Sequence, residues 1–394
     1  MAAVLDGIRV LDFGRYIAGP FCATLLADLG ADVIRIEKVD GGEDRWTSPV
    51  SDGGDGAGFM QWGRNKRGMT LNPRTPEGRT ILERLVRTAD VVIANLPPAT
   101  LIDMGLDYAS LARIKPDIVL TTATAFGGPG PYAERVGFDG VAQAMSGNMY
   151  LTGEPEQPTK NFSPFVDYST AAFSAFGTLA ALMHRMKSGE GQHVEASLLR
   201  SALTIMNSTL IEQAVLGKNR IATGNRGQGA APSDTFQTRD GWLLVSVVGN
   251  PLFERWARLM DEAHWLTDPR FASDEGRGVH GELISQRMAR WCAERTTAEA
   301  MAELESARLP CGEVLSPQGA LENVHVRAAG LLTDIDFPGL HKPAPVAVTP
   351  IRMSRTPPTI RHRAPTLGEH TNAILGELGY DDATIARLRT ARVI

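Results

Sequence analysis

Along the chain, short apolar runs alternate with longer stretches in which apolar residues recur at helical spacing. Residues 7–14 (GIRVLDFG), 31–38 (ADVIRIEK), 69–72 (MTLN), 90–96 (DVVIANL) and 117–127 (DIVLTTATAFG) read as strands. Their runs are apolar throughout instead of alternating, as a parallel sheet covered on both faces requires. GPFCATLLADLG, between the first two, has Pro20 suited to a first helical position and Gly30 just past the end. Residues 76–89 form an amphipathic helix. Such right-handed strand–helix–strand repeats predict an open α/β sheet of Rossmann type, with ligands at the carboxyl ends of its strands.

Further on, residues 168–186 read as an apolar helix, and KSGEGQHVEASLL as a turn and strand leading into another helix that ends near Leu216. TFQTRDGWLLVSVV predicts a hairpin turning at Asp240-Gly241, followed by helices near 250–260, 283–295 and 297–308. Pro338, Pro343, Pro345 and Pro350 punctuate an extended stretch, and residues 367–380 predict a helix closing the chain. The expected division is a large domain of residues 1–216 with 326–394, and a linker plus small α+β domain at 217–325. A length of 394 residues favours two domains over one core.

A formal net charge of −5 argues against a nucleic-acid partner, which normally needs a basic patch. Cys22, Cys292 and Cys311 are few, far apart and odd in number, so neither a disulfide framework nor a zinc knuckle is suggested, and no metal ligand set is assigned. Reduced thiols in a cytoplasmic protein are expected. The start of the chain has no basic segment leading into an apolar core, so no signal peptide is read. Ser169, Thr170, Ser174 and Gly177 mark the most apolar helix as a buried one, not a membrane span.

Candidate chemistry centres on Asp167, the only acid between Glu156 and Glu190. By local rules it is a helix N-cap, and free amides at a helix start would favour its ionised form. The same residue type in the same place also suits a nucleophile or general base. Upstream, the loop GRYIAGP after the first strand is neither GxGxxG nor a phosphate-cradling P-loop. Glu37 mimics the acid that binds a dinucleotide ribose, but the accompanying glycines are missing. Arg35, Lys66, Arg67 and Arg74 cluster near strand ends, where each taken singly reads as a solvated charge and together they suit an anionic ligand.

Six segments, LDGIRVLDFGRYIAGP, LADLGADVIRIEK, NKRGMTLN, GFDGVAQAMSG, GEGQHVEASL and LGEHTNAILGELGY, resemble in order and spacing the class III CoA-transferases of the CaiB/BaiF family, with the carnitine CoA-transferase type closest in flavour. The resemblance implies a Rossmann-like large domain, a small domain and an interlocked homodimer. It implies an enzyme that moves CoA from an acyl-CoA, succinyl-CoA among the candidates, to a carboxylic acid. Asp167 matches the family nucleophile, which passes through an aspartyl anhydride and an aspartyl-CoA thioester. No tightly bound cofactor is implied; CoA and acyl-CoA are substrates. Tyr16, Ile17, Ala18, Arg35, Leu71, Asn72, Arg74, Asn95, Leu96, Pro97 and Asp139 match CoA-lining positions. Amides near Ala18 or the Gly127–Gly128 loop are candidate oxyanion donors, and the glycine-rich loop 224–229 with Arg226 is a candidate cover. Asp103 stands where the family usually has an arginine, and Phe138 where its racemases have a histidine. Racemisation is therefore the alternative reading, beside an acyl-CoA-binding protein without transfer activity.

Overall fold

A computed structural model describes residues 3–394. Six strands form its main sheet: β1 (Arg9–Asp12), β2 (Asp32–Glu37), β3 (Lys66–Thr70), β4 (Val91–Ala94), β5 (Val119–Thr124) and β6 (His193–Ser197). They lie in the order β3-β2-β1-β4-β5-β6, and every pairing is parallel. The order reverses between β1 and β4, which register Val10 against Val91. At such a reversal the connections leave to opposite faces, and a crevice opens at the carboxyl ends of the strands.

The helices packed on this sheet or bordering its crevice include α1 (Ala18–Asp28), α2 (Pro76–Thr88), α3 (Asp139–Met145), α4 (Phe165–Ser188), α5 (Leu198–Leu216), α6 (Thr371–Glu377) and α7 (Asp382–Thr390). Successive strand residues serve two cores, because side chains alternate across a sheet. Val10, Val33, Val91 and Val119 pack with Phe21 and Leu26 of α1 and Ala171 and Ala175 of α4. Leu11, Ile34, Val92 and Leu120 pack on the other face with Ile81 and Leu85 of α2, Ile374 of α6 and Leu388 of α7. This double burial is why the strands read as unbroken apolar runs. The chain does not close on the helix at 367–380: α7 follows it, capped by Asp381, whose Oδ1 accepts from Thr384 N at 2.7 Å.

The described residues fall into two compact units. One runs up to Ser146 and includes Phe162–Thr209 and Arg327–Ile394; the other is Gly147–Asn161 with Leu210–Val326. Within the second, Ser233–Gln237 and Trp242–Ser246 form an antiparallel hairpin, and Cys311–Glu313 pairs with its second strand. Its helices Asn250–Leu259, Gly281–Ala293 and Thr297–Ser306 enclose an aromatic core of Phe253, Trp256, Trp265 and Phe271. The loop at 224–229 lies in this unit, with Gly227 N donating to Ser233 O at 2.6 Å and Arg226 beside Glu282 at 3.6 Å.

Candidate active site

The crevice begins with a clamped loop. Asn95, just past β4, accepts from Arg15 N at 2.5 Å and donates to Arg15 O at 2.8 Å, so one amide side chain holds both backbone groups of that residue. Tyr16 then takes a left-handed conformation, φ 57, which costs a non-glycine residue about 1 kcal/mol or more. Two residues later α1 starts without a side-chain cap. Its first intrahelical bond runs from Phe21 N to Ile17 O, leaving the Ala18 and Gly19 amides outside the ladder, and Ala18 lines the crevice.

Beneath the loop lies a buried ionic floor. Lys66 donates to Asp12 at 2.8 Å and to Pro20 O at 2.7 Å. Arg35 pairs with Asp44 at 2.6 Å and reaches the Gly14 carbonyl, while Arg15 holds the other oxygen of Asp44 at 2.7 Å. Burial works to raise the Asp12 carboxyl, but Lys66, Arg35 and the Gly14 amide outweigh it and leave it lowered. The expectation of solvated strand-end charges fails here, since Arg35 is 1% exposed and Lys66 3%. Buried charges persist only when paired, and these are paired within the chain. Glu37 likewise grips Arg45 through both oxygens, at 2.6 and 3.1 Å, so it is not poised to hold a ribose.

Asp167 sits in the first turn of α4 but does not cap it. Pro164 occupies the N-cap position, and the cap comes from a distant residue: Asp139 Oδ2 accepts from Val166 N at 2.8 Å and from Asp167 N at 3.1 Å. Gln143 secures the other Asp139 oxygen. The amides expected to stabilise an ionised Asp167 are thus taken by another carboxylate. Burial first, and the charge of Asp139 second, push the Asp167 carboxyl up to about 7. The ordering is the reverse of the sequence expectation. Cys22 is no rival nucleophile, because burial and Asp12 push its thiol up to about 12.

Two cavities open along the carboxyl edge of the sheet. One, of about 300 Å³, lies at the switch point and is walled by Tyr16, Ala18, Asn95, Leu96, Pro97 and Asp167, among others. The other, of about 400 Å³, lies over the ends of β1, β2 and β3 and includes Arg35, Leu71, Asn72, Arg74 and Leu96 in its walls. Arg15 and Leu96 belong to both.

The model for CoA-transferase family III matches residues 5–371. The chain belongs to that family. It is 33% identical to the succinyl-CoA–D-citramalate CoA-transferase of Chloroflexus aurantiacus over 99% of this chain and 98% of that protein. It is 34% identical to the succinate–glutarate CoA-transferase of Agrobacterium fabrum, covering 95% of each. Among solved structures, a CaiB/BaiF family protein from Brucella suis superposes with a TM-score of 0.83 at 33% identity, over 96% of this chain and 100% of that one. The protein is therefore a CoA-transferase, and CoA thioesters are its substrates.

In this class III CoA-transferase the expected site residues divide in three ways. Asp167, Tyr16, Ala18, Asn95, Leu96 and Pro97 share the first cavity, and Arg35, Leu71, Asn72 and Arg74 join Leu96 around the second. Ile17 and Asp139 line neither: Ile17 packs toward the core beside α1, and Asp139 serves α4. The Gly127 and Gly128 amides, candidate oxyanion donors, are already bound to Thr124 Oγ1 and Glu195 Oε1, each at 3.0 Å. Asp103 holds Arg74 at 2.7 Å. Phe138, at the racemase histidine position, is 63% exposed and meets Tyr16 edge-on with ring centroids 5.4 Å apart. No histidine lines either cavity among the described residues. Sequence reasoning missed Arg15, which touches both cavities, and Arg392; Arg15 had a signal in its place directly after the first strand, whereas Arg392 had none.

Proposed function

We propose that Asp167 is the nucleophile of CoA transfer. Its carboxylate, held in the switch-point cavity against its own preference for ionisation, is the observation that carries this reading. A carboxylate Oδ attacks the thioester carbon of the acyl-CoA donor, the C–S bond breaks, and CoA thiolate leaves a mixed anhydride. The thiolate then attacks Cγ of Asp167, expelling the donor acid and forming an aspartyl-CoA thioester. The acceptor carboxylate attacks Cγ and releases thiolate, which takes the new acyl group and frees Asp167. Forming the anhydride removes negative charge from beside Asp139, so the factors that resist ionisation also favour attack. The Ala18 and Gly19 amides are the donors for the tetrahedral oxyanions.

The names of the two curated relatives join succinyl-CoA to D-citramalate and succinate to glutarate, which supports succinyl-CoA as donor and a dicarboxylic acid as acceptor. A homodimer is part of the proposal: α4 turns Phe173, Phe176, Met183 and Met186 outward, an apolar face that a soluble monomer rarely exposes.

Purified protein mixed with succinyl-CoA and a panel of dicarboxylic acids, quenched with hydroxylamine and digested, tests the mechanism. A hydroxamate on the Asp167 peptide together with a new acyl-CoA is the expected result. Wild-type-like turnover by Asp167→Ala would sink the assignment.

A further inference from the structure

The larger cavity has a cationic rim whose charges are all held by carboxylates. Lys38 pairs with Glu43 at 2.7 Å, Arg74 with Asp103 at 2.7 Å, and Arg392 with both oxygens of Asp40, the longer contact at 2.7 Å. All six side chains are more than half exposed. Exposed pairs of this kind contribute about 0–1 kcal/mol each, so a ligand phosphate can displace the carboxylate at little cost.

Arg392 differs from the other two cations in how it is presented. It follows α7, in the left-handed region at φ 53, where a non-glycine residue is strained. The chain on either side of it is fixed. Arg392 N donates to Arg389 O at 3.0 Å, and Val393 N to Leu388 O at 2.9 Å. Asn72 N, on the cavity wall, donates to Val393 O at 2.8 Å. Val393 and Ile394 are buried in the core beneath. The fold thus holds a strained backbone in place and delivers one flexible guanidinium to the cavity.

We infer that Arg392 is a phosphate-binding residue for the nucleotide end of CoA, exchanging Asp40 for a phosphate when substrate binds. The inference rests on reading this cavity as the nucleotide end of the CoA site. It also accounts for Asp103: with Arg74 restrained by an acid, a cation from a different part of the chain supplies the contact.

Calorimetric titration of the full chain with CoA and with 3′-dephospho-CoA tests this. Arg392→Gln is expected to weaken CoA about 10-fold or more, the effect of losing a charge-assisted bond. Loss for CoA but not for 3′-dephospho-CoA places the contact on the 3′-phosphate; equal loss for both places it on the diphosphate. Arg392→Gly, which relaxes the left-handed strain while removing the cation, should reproduce the loss without lowering Tm. Asp40→Asn should tighten CoA and steepen the salt dependence of its binding, because Arg392 is then no longer paired with a carboxylate inside the protein. Unchanged affinity in both Arg392 variants beside a wild type that binds CoA overturns the inference. A wild type that binds neither ligand overturns the reading of the cavity with it.

Discussion

Asp167 is buried with a second carboxylate at its backbone, and its titration carries the consequences. With Asp167 as the proposed nucleophile only its ionised form attacks, so kcat/KM for the donor should fall about tenfold per pH unit below a limb near pH 7, the value to which its carboxyl is pushed up. Asp139→Asn keeps an oxygen to accept from the α4 amides and removes the charge. That limb should then move down by the smaller of the two causes, burial still holding it above the ordinary carboxylate range, with Tm changed little; a limb that stays put would detach Asp139 from the titration. Stability gives the matching sign. A carboxyl raised in the folded state costs nothing below the unfolded value of 3.8, and the cost grows as pH rises through about 7. Asp167→Asn should therefore be more stable than wild type by a few kcal/mol at pH 8, since each tenfold change in proton affinity is worth about 1.4 kcal/mol. The gain should shrink as pH is lowered toward 4, as denaturant titrations at several pH values will show.

At the level of elements, the sheet was legible because both of its faces are covered: Val91, Val92 and Ile93 are apolar in succession since alternate members enter different cores. The ionic floor was not legible. Arg35 and Lys66 look like any strand-end charges until β1, β2 and β3 stand side by side, bringing Asp12 to them, and the turn after β2 folds back to bring Asp44 to Arg35. The cap of α4 escaped for a similar reason, because local rules look a few residues away and Asp139 arrives from another helix. Of the site, Asp167, the loop after β1 and the segment after β4 were readable from the resemblance. The tail carrying Arg392 was not, since α7 itself went unread. Lys66→Met should cost about 3–5 kcal/mol in urea unfolding, because it leaves Asp12 buried with a weaker partner. Asn95→Ala should lower kcat/KM at least tenfold with a modest loss of stability, because it frees both backbone groups of Arg15 and lets Tyr16 leave its strained conformation.

For the whole molecule, the outward face of α4 makes association a measurable expectation. If the proposed dimer forms, Phe176→Glu, at a side chain 73% exposed, should shift the mass found by light scattering from that of a dimer toward the monomer. The walls shared by the two cavities, Arg15 and Leu96, bear on how binding is spent. On the proposed reading, a nucleotide filling the larger cavity meets the same arginine that lines the cavity of Asp167, which would join remote recognition to the reacting centre. Succinyl thioesters of short pantetheine fragments, which carry the reactive bond and no nucleotide, should therefore lose turnover number as well as affinity. That loss would make the adenine end of the substrate part of the catalyst.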